Sequence, residues 1–301
     1  MPAEAVSDSS APFGEVLTAM ITPFTDEGTV DHERVWRLAR YLVAHGSEGL
    51  VVTGTTGESP TLTDQEKVAL YRTVVEAVGG KAKVVAGTGT YDTANSVELS
   101  RRAAEVGADG IMAVTPYYSK PSQEGLLAHF RAIADATDLP VVVYNIPGRT
   151  ARLIEIPTLA ALAEHPRIVA TKDAVMDIDF TSRTCVEVPE LPVYSGQDSY
   201  TWPMMAVGAV GVVSVISHLA GPTIKRMVSA ANRGEAGDAR RLHQALLPLA
   251  LACFLEPNPA PVKAGMAALW EPVGSPRLPL VEASPATVQA VKEALGAVQV
   301  L

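Results

Sequence analysis

Residues 49–87, GLVVTGTTGESPTLTDQEKVALYRTVVEAVGGKAKVVAG, read as strand, loop, capped helix, strand. Gly49-Leu-Val-Val52 and Lys83-Val-Val-Ala-Gly87 are short apolar runs rich in β-branched residues. Between them, Thr63 and Glu66 have the spacing of a capping box. Val68, Tyr71, Val74, Val75 and Val78 then recur on one helical face, and Gly79-Gly80 ends it. The same unit repeats outward in both directions. Further runs lie at 15–21, 110–115, 140–145, 168–172, 192–195 and 211–215, making eight with the two above. Helical patterns at 32–43, 97–106, 126–134 and 156–162 follow several of them. Strands alternating with helices point to a parallel sheet, and eight units fit a (β/α)8 TIM barrel. An open doubly wound sheet fits less well, because no Gly-x-Gly-x-x-Gly follows the first run. Beyond Pro222 the β signal fades, and helices are expected at 223–232, 236–254, 261–269 and 285–298. The expected organisation is a disordered tail at 1–13, a barrel at 14–222, and the last barrel helix with a C-terminal helical extension at 223–301.

The 301 residues carry a net charge of −9, which argues against a nucleic-acid partner, since phosphate neutralisation needs a basic face. Cys185 and Cys253 lie far apart and suggest no disulfide framework. The start is small and polar, unlike a signal peptide, and no run reaches membrane-spanning length. A soluble cytoplasmic protein is the expectation. The six histidines are scattered with no metal-ligand spacing, so no metal is expected. Neither a phosphate-binding Gly-x-x-x-x-Gly-Lys-Ser/Thr loop nor a Gly-x-Ser-x-Gly elbow occurs.

Barrel enzymes carry their chemistry at the carboxyl ends of the strands. Here those ends read Gly54-Thr-Thr-Gly-Glu-Ser59, Thr115-Pro-Tyr-Tyr-Ser-Lys-Pro121, Tyr144-Asn-Ile-Pro-Gly-Arg-Thr150, Lys172 and Ser195-Gly-Gln-Asp198. Lys172 ends an apolar run, where desolvation would lower its pKa and make the amine a nucleophile toward carbonyls. The alternative is a lysine that snorkels to water. In Gly54-Thr-Thr-Gly, turning backbone and two hydroxyls suit a carboxylate, although an ordinary loop with a threonine cap has the same letters. Tyr144 is a core tyrosine or, beside an amine, a proton shuttle. Arg149 offers a planar fork for a carboxylate or is a solvated surface group. The Tyr117-Tyr118 pair between prolines reads as a rigid aromatic loop made for a subunit contact.

Together these segments resemble the dihydrodipicolinate synthase family, over nearly the whole chain from about Gly14. Gly54-Thr-Thr-Gly-Glu-Ser, Pro116-Tyr-Tyr, Tyr144-Asn-Ile-Pro-Gly-Arg-Thr and Lys172 occur in the family's order and spacing, and Glu256-Pro-Asn-Pro and Pro276-Arg-Leu-Pro-Leu are similar too. The resemblance implies condensation of pyruvate with L-aspartate 4-semialdehyde, with a covalent Schiff base on Lys172 and no other cofactor. It implies Tyr144 as proton donor and acceptor, and Thr55 as relay to Tyr118 of a neighbouring subunit. Thr56 would hold the pyruvate carboxylate, Gly196 and Val213 would line that pocket, and Arg149 would position the acceptor carboxylate. It also implies a homotetramer built as a dimer of dimers. Asp173, Gln197 and His218 depart from common family residues. At the positions corresponding to lysine-feedback contacts stand Asp64, Lys67, Tyr91 and Asn95, a poor match that predicts weak or absent inhibition by lysine.

Two other readings compete. A lyase for sialic acid or a 2-keto-3-deoxy sugar acid would share Lys172, Tyr144 and the threonine pair, but a neutral sugar aldehyde has no use for Arg149. A non-catalytic carboxylate-binding barrel would have lost a nucleophile or relay group, and none is missing here.

Overall fold

The strands are β1 (Val16–Ala19), β2 (Gly49–Val52), β3 (Lys83–Gly87), β4 (Gly110–Val114), β5 (Val141–Asn145), β6 (Ile168–Asp173), β7 (Val193–Ser195) and β8 (Gly211–Ser214). All pairs are parallel, neighbours follow chain order, and β8 pairs with β1, so the sheet closes as a (β/α)8 barrel. This is a computed structural model, and it describes residues 11–299; residues 1–10 of the expected tail lie outside the described residues.

The helices are α1 (His32–Ala44), α2 (Asp64–Val78), α3 (Thr93–Glu105), α4 (Gln123–Asp135), the short turn α5 (Pro147–Thr150), α6 (Ile156–Ala163), α7 (Ile178–Glu187), α8 (Thr201–Ala206), α9 (Ser217–Asn232), α10 (Ala236–Ala252), α11 (Ala260–Leu269) and α12 (Pro285–Gln299). The capping box is formed: the Glu66 N–H donates to Thr63 Oγ1 at 3.2 Å, and the Thr63 N–H donates to Glu66 Oε2 at 2.8 Å. Gly79 stops α2 in the left-handed conformation, with φ 54°. α9 starts earlier than its sequence pattern. A first piece runs from Ser217, breaks at Ala220, and Pro222 opens the second. Proline is tolerated there because the first turn of a helix needs no N–H donor.

Parallel strands buried on both faces need apolar residues on both. Leu17, Val51, Val85, Met112, Val142, Ala170 and Val213 fill the barrel interior, while the outward residues pack under the helices. The amino end of the barrel is closed by Phe13, whose N–H donates to the Tyr194 hydroxyl at 3.2 Å; that hydroxyl donates to the Gly14 carbonyl at 2.9 Å. Phe13 is fully buried. The interior is therefore packed at its base, and open space lies at the carboxyl ends of the strands. Helix α12 packs on α10 and on α11, and all three pack on α9. No helix among the described residues is long and apolar enough to cross a membrane.

Candidate active site

Tyr144, Lys172 and Tyr194 are register partners on β5, β6 and β7, so they form one row across three strands. Alternation along the strand turns all three inward. Lys172 is only 5 % exposed, and its Nζ lies 4.0 Å from the Tyr144 ring centroid. Burial pushes the Lys172 amine down to about 7, opposed by the buried Asp198 carboxylate and assisted by the Arg149 charge. A large share of the amine is therefore neutral near pH 7, the state that attacks a carbonyl. The Tyr144 phenol moves the other way, up to about 12. Burial is the main cause, partly offset by the Arg149 charge and a hydrogen bond with Thr55. An amine that is readily free thus faces a phenol that holds its proton, a division of roles suited to acid–base chemistry.

Room for the lysine depends on one glycine. A Cβ on Gly196 would stand 3.1 Å from Lys172 Cε and 2.9 Å from the Ala174 Cβ. Sequence reasoning did not assign a role to Asp198. Its buried carboxylate accepts from the Ser214 hydroxyl, from the Val215 N–H at 2.8 Å and from the Ile216 N–H at 3.1 Å. It thereby fixes the turn after β8 and keeps a negative charge near Lys172. Asp198 was visible only as the last letter of Ser195-Gly-Gln-Asp198.

The loop after β2 is held from several sides. Thr22 Oγ1 donates to the Gly57 carbonyl at 2.7 Å, and the Glu58 N–H donates to the Thr55 carbonyl at 3.1 Å. Asn258 Nδ2 donates to Thr56 Oγ1 at 2.8 Å, so a residue of the C-terminal region touches the threonine pair. Glu58, in the left-handed region with φ 59°, is buried against Lys263 at 2.7 Å. This contact is a charge pair without hydrogen-bond alignment. Glu58 also accepts the Arg277 N–H at 2.8 Å. Lys263 and Arg277 both sit over the Phe24 ring, at 4.3 and 4.5 Å from its centroid. Among the described residues the Thr55 and Thr56 N–H groups donate to no backbone carbonyl. Consecutive N–H groups left without carbonyl partners are the kind of donor that suits an anion.

A cavity of about 200 Å³ opens beside this row, lined by Thr55, Met112, Tyr117, Tyr144, Ile146 and Arg149 among others. Arg149 is exposed and makes no ion pair among the described residues, so its fork is free. The cavity gathers Thr55, Tyr144 and Arg149 directly, and Lys172 adjoins it across the Tyr144 ring. Thr56 is turned to Asn258, and Val213 belongs to the packed interior with Tyr144. Tyr118 stands apart: it is 93 % exposed, at φ 70°, and does not line the cavity. Its neighbour Tyr117 lines it and meets Tyr91 edge to face at 5.3 Å.

The three departures have structural partners. Asp173 accepts from the Thr181 hydroxyl at 2.6 Å and the Val175 N–H at 2.8 Å, which caps the end of β6. Gln197 Nε2 reaches Ser199 Oγ at 3.3 Å. His218 is buried, accepts the Ile21 N–H on Nε2 at 3.1 Å, and donates from Nδ1 to the Val215 carbonyl at 2.7 Å. Burial holds its pKa down at about 4, so the ring is a neutral bolt between the β1 and β8 ends. None of the three occupies the place of Lys172, Tyr144 or Thr55.

A profile of the Dihydrodipicolinate synthetase family matches residues 12–298. The 4-hydroxy-tetrahydrodipicolinate synthase of Moorella thermoacetica is 52 % identical over 273 residues, covering 90 % of this chain and 94 % of that protein. Dihydrodipicolinate synthase DapA-2 of Bacillus anthracis superposes with a TM-score of 0.91 at 44 % identity, covering 94 % of this chain and 98 % of the other. The enzyme from Cyanidioschyzon merolae, solved with lysine bound, superposes with a TM-score of 0.94 at 42 % identity, covering 97 % and 100 %.

Proposed function

The chain belongs to the dihydrodipicolinate synthetase family, and on that premise we propose that Lys172 and Tyr144 are the groups that carry its reaction. The activity is that of a 4-hydroxy-tetrahydrodipicolinate synthase, a carbon–carbon lyase of lysine and diaminopimelate biosynthesis. It condenses pyruvate with L-aspartate 4-semialdehyde. The Lys172 amine adds to the pyruvate carbonyl and water leaves, giving an iminium. The iminium acidifies the methyl group, and loss of a proton gives an enamine. The enamine carbon attacks the aldehyde of aspartate semialdehyde, whose oxygen takes up a proton. The substrate's own amine then adds to the former carbonyl carbon and expels the Lys172 amine, closing the ring.

Every step moves a proton, and the phenol of Tyr144 is the group beside the amine that can hold or release one. Thr55 passes protons onward, and Tyr118 of a partner subunit receives them. Thr56 and the free N–H groups of its loop take the pyruvate carboxylate, with Gly196 and Val213 lining that pocket. Arg149 takes the acceptor carboxylate. The Schiff base on Lys172 is the only covalent carrier, with no added cofactor. The single observation that carries this reading is the buried amine, near neutrality in its titration, 4.0 Å from the ring of a protonated phenol. The test is condensation of the two substrates coupled to a reductase that consumes the product. Robust turnover supports the acceptor assignment. No turnover, with a pyruvate adduct still trapped by borohydride, would move the search to other aldehydes.

Tyr118 in the relay requires at least a dimer, and the family resemblance extends this to a tetramer of two such dimers. Its exposure on this chain suits a residue that completes another subunit's site. Tyr118→Phe should lower turnover about tenfold or more while the melting temperature holds, as expected for loss of a general acid–base group. Unchanged turnover would remove it from the relay.

Feedback by lysine should be weak or absent. Asp64, Lys67, Tyr91 and Asn95 line one surface cavity with Tyr117. There the Asp64 carboxylate already lies 3.5 Å from the Lys67 ammonium and accepts from Asn95 Nδ2 at 2.7 Å. An incoming ammonium would meet a fixed positive charge and an occupied carboxylate. Turnover in millimolar lysine should match the lysine-free rate; strong inhibition at sub-millimolar lysine would overturn this.

A further inference from the structure

Tyr144 is followed by Asn145, the last residue of β5. Alternation sends the Asn145 side chain to the outer face, where it is completely buried. There it makes two hydrogen bonds to one distant residue. Nδ2 donates to the Ile154 carbonyl at 2.9 Å, and Oδ1 accepts the Ile154 N–H at 3.1 Å. A single amide thus satisfies both backbone groups of Ile154, as a neighbouring strand would. The Asn145 carbonyl accepts the Ala174 N–H at 2.9 Å, which ties the same residue to the chain just after Lys172.

Between Asn145 and Ile154 lies the loop that presents Arg149. The turn α5 ends at Ala151 with φ 54°, and the Thr150 hydroxyl lies 3.0 Å from the carbonyls of Ile146 and Arg152. The far end of the loop is gripped from outside as well. Gln123 Nε2 donates to the Leu153 carbonyl at 2.9 Å, while its Oε1 accepts the Glu155 N–H at 3.2 Å and the Thr158 hydroxyl at 2.7 Å. The loop therefore has two fixed ends and a rigid turn, and Arg149 projects from it without a side-chain partner of its own.

We infer that Asn145 is a positioning residue: by closing the 145–154 loop it holds Arg149 at the cavity it shares with Tyr144, and so supports the grip on the acceptor carboxylate. The inference rests on the acceptor role given above to Arg149. Asn145 touches neither substrate, and Lys172 keeps its place through β6 whatever the loop does. Loosening the loop should therefore harm the second substrate and spare the first.

The test is a cycle of Asn145→Ala, Arg149→Ala and the double variant, with Gln123→Ala as a milder release of the same loop. For Asn145→Ala, KM for aspartate semialdehyde should rise about tenfold, while KM for pyruvate and the rate of borohydride-trapped adduct stay at the wild-type values. The double variant should be no worse than Arg149→Ala alone, because both remove one interaction. Gln123→Ala should move the same parameter in the same direction by less, and it decides the matter if Asn145→Ala does not fold. Parallel losses in pyruvate KM and adduct formation, or additive effects in the cycle, would overturn the inference. A wild-type KM in Arg149→Ala would instead strike the acceptor assignment itself, and that outcome is read separately from the others.

Discussion

Lys172→Met leaves a folded protein that neither turns over nor forms a pyruvate adduct trapped by borohydride. Methionine keeps the volume of the stem and removes the amine that stands beside Tyr144. A stability gain should accompany the loss. Burial holds the folded pKa near 7, against 10.5 for the free side chain. Below about pH 7 the lysine is charged in both folded and unfolded chains, and the folded state bears the full cost of burying the charge. As pH rises from about 7 toward 10.5 the folded amine is neutral, and the cost shrinks. Lys172→Met should therefore be more stable than wild type by a few kcal/mol at or below neutral pH, with about 5 kcal/mol as a ceiling. The gain should fade in alkaline solution. Denaturant titrations at two pH values measure it, and a variant no more stable than wild type at pH 6 would mean that the amine is well solvated. In the wild-type protein the same titration should govern chemistry: the rate of adduct formation should drop about tenfold per pH unit once the pH is well below 7.

The other large effect is expected at Glu58. Its carboxylate and the Lys263 ammonium are both buried, 2.7 Å apart, beneath the loop that carries Thr55 and Thr56. Burial pulls the Lys263 pKa down and Glu58 opposes that pull, so the cation depends on its partner. Glu58→Ala leaves the buried Lys263 ammonium without its carboxylate and the Arg277 N–H without its acceptor, at a cost of about 3–5 kcal/mol. Removing both charges in Glu58→Gln/Lys263→Met should restore most of that stability, since the pair as a whole gains little over neutral packing. Unfolding free energies of the singles and the double provide the check. Single variants within about 1 kcal/mol of wild type would show that water reaches the pair. Pyruvate affinity should weaken in Glu58→Ala, because the same residue anchors the threonine loop.

The barrel was legible because the strands are short apolar runs that alternate with helical patterns, and five of them lead into chemically distinct ends. Helices α7 and α8 were not singled out, for different reasons. Asp177 caps α7 by accepting the Asp179 and Phe180 N–H groups, but its buried positions are Thr181 and Thr184, so no apolar period announces it. α8 spans only Thr201–Ala206 and contains Pro203. At the site, Lys172 is conspicuous as an amine at the end of an apolar run, whereas Tyr144, Thr55 and Arg149 each have an ordinary reading by residue type and gain their roles only from the family resemblance. Asn145, Glu58 and Asn258 do not stand out, because their roles come from partners that no local pattern reveals. Glu58 is one letter of a glycine-rich loop, and its partner Lys263 is an unremarkable lysine in a helical run.

The bond from Asn258 to Thr56 joins residues 202 positions apart. All eight strands precede Asn258 in the chain, so the threonine loop gains this brace only after the whole sheet has been synthesised. Such late, distant contacts are slow to form. Competence to capture pyruvate should therefore arrive near the end of synthesis rather than with the barrel, and a partly made polypeptide would not draw on the metabolite pool.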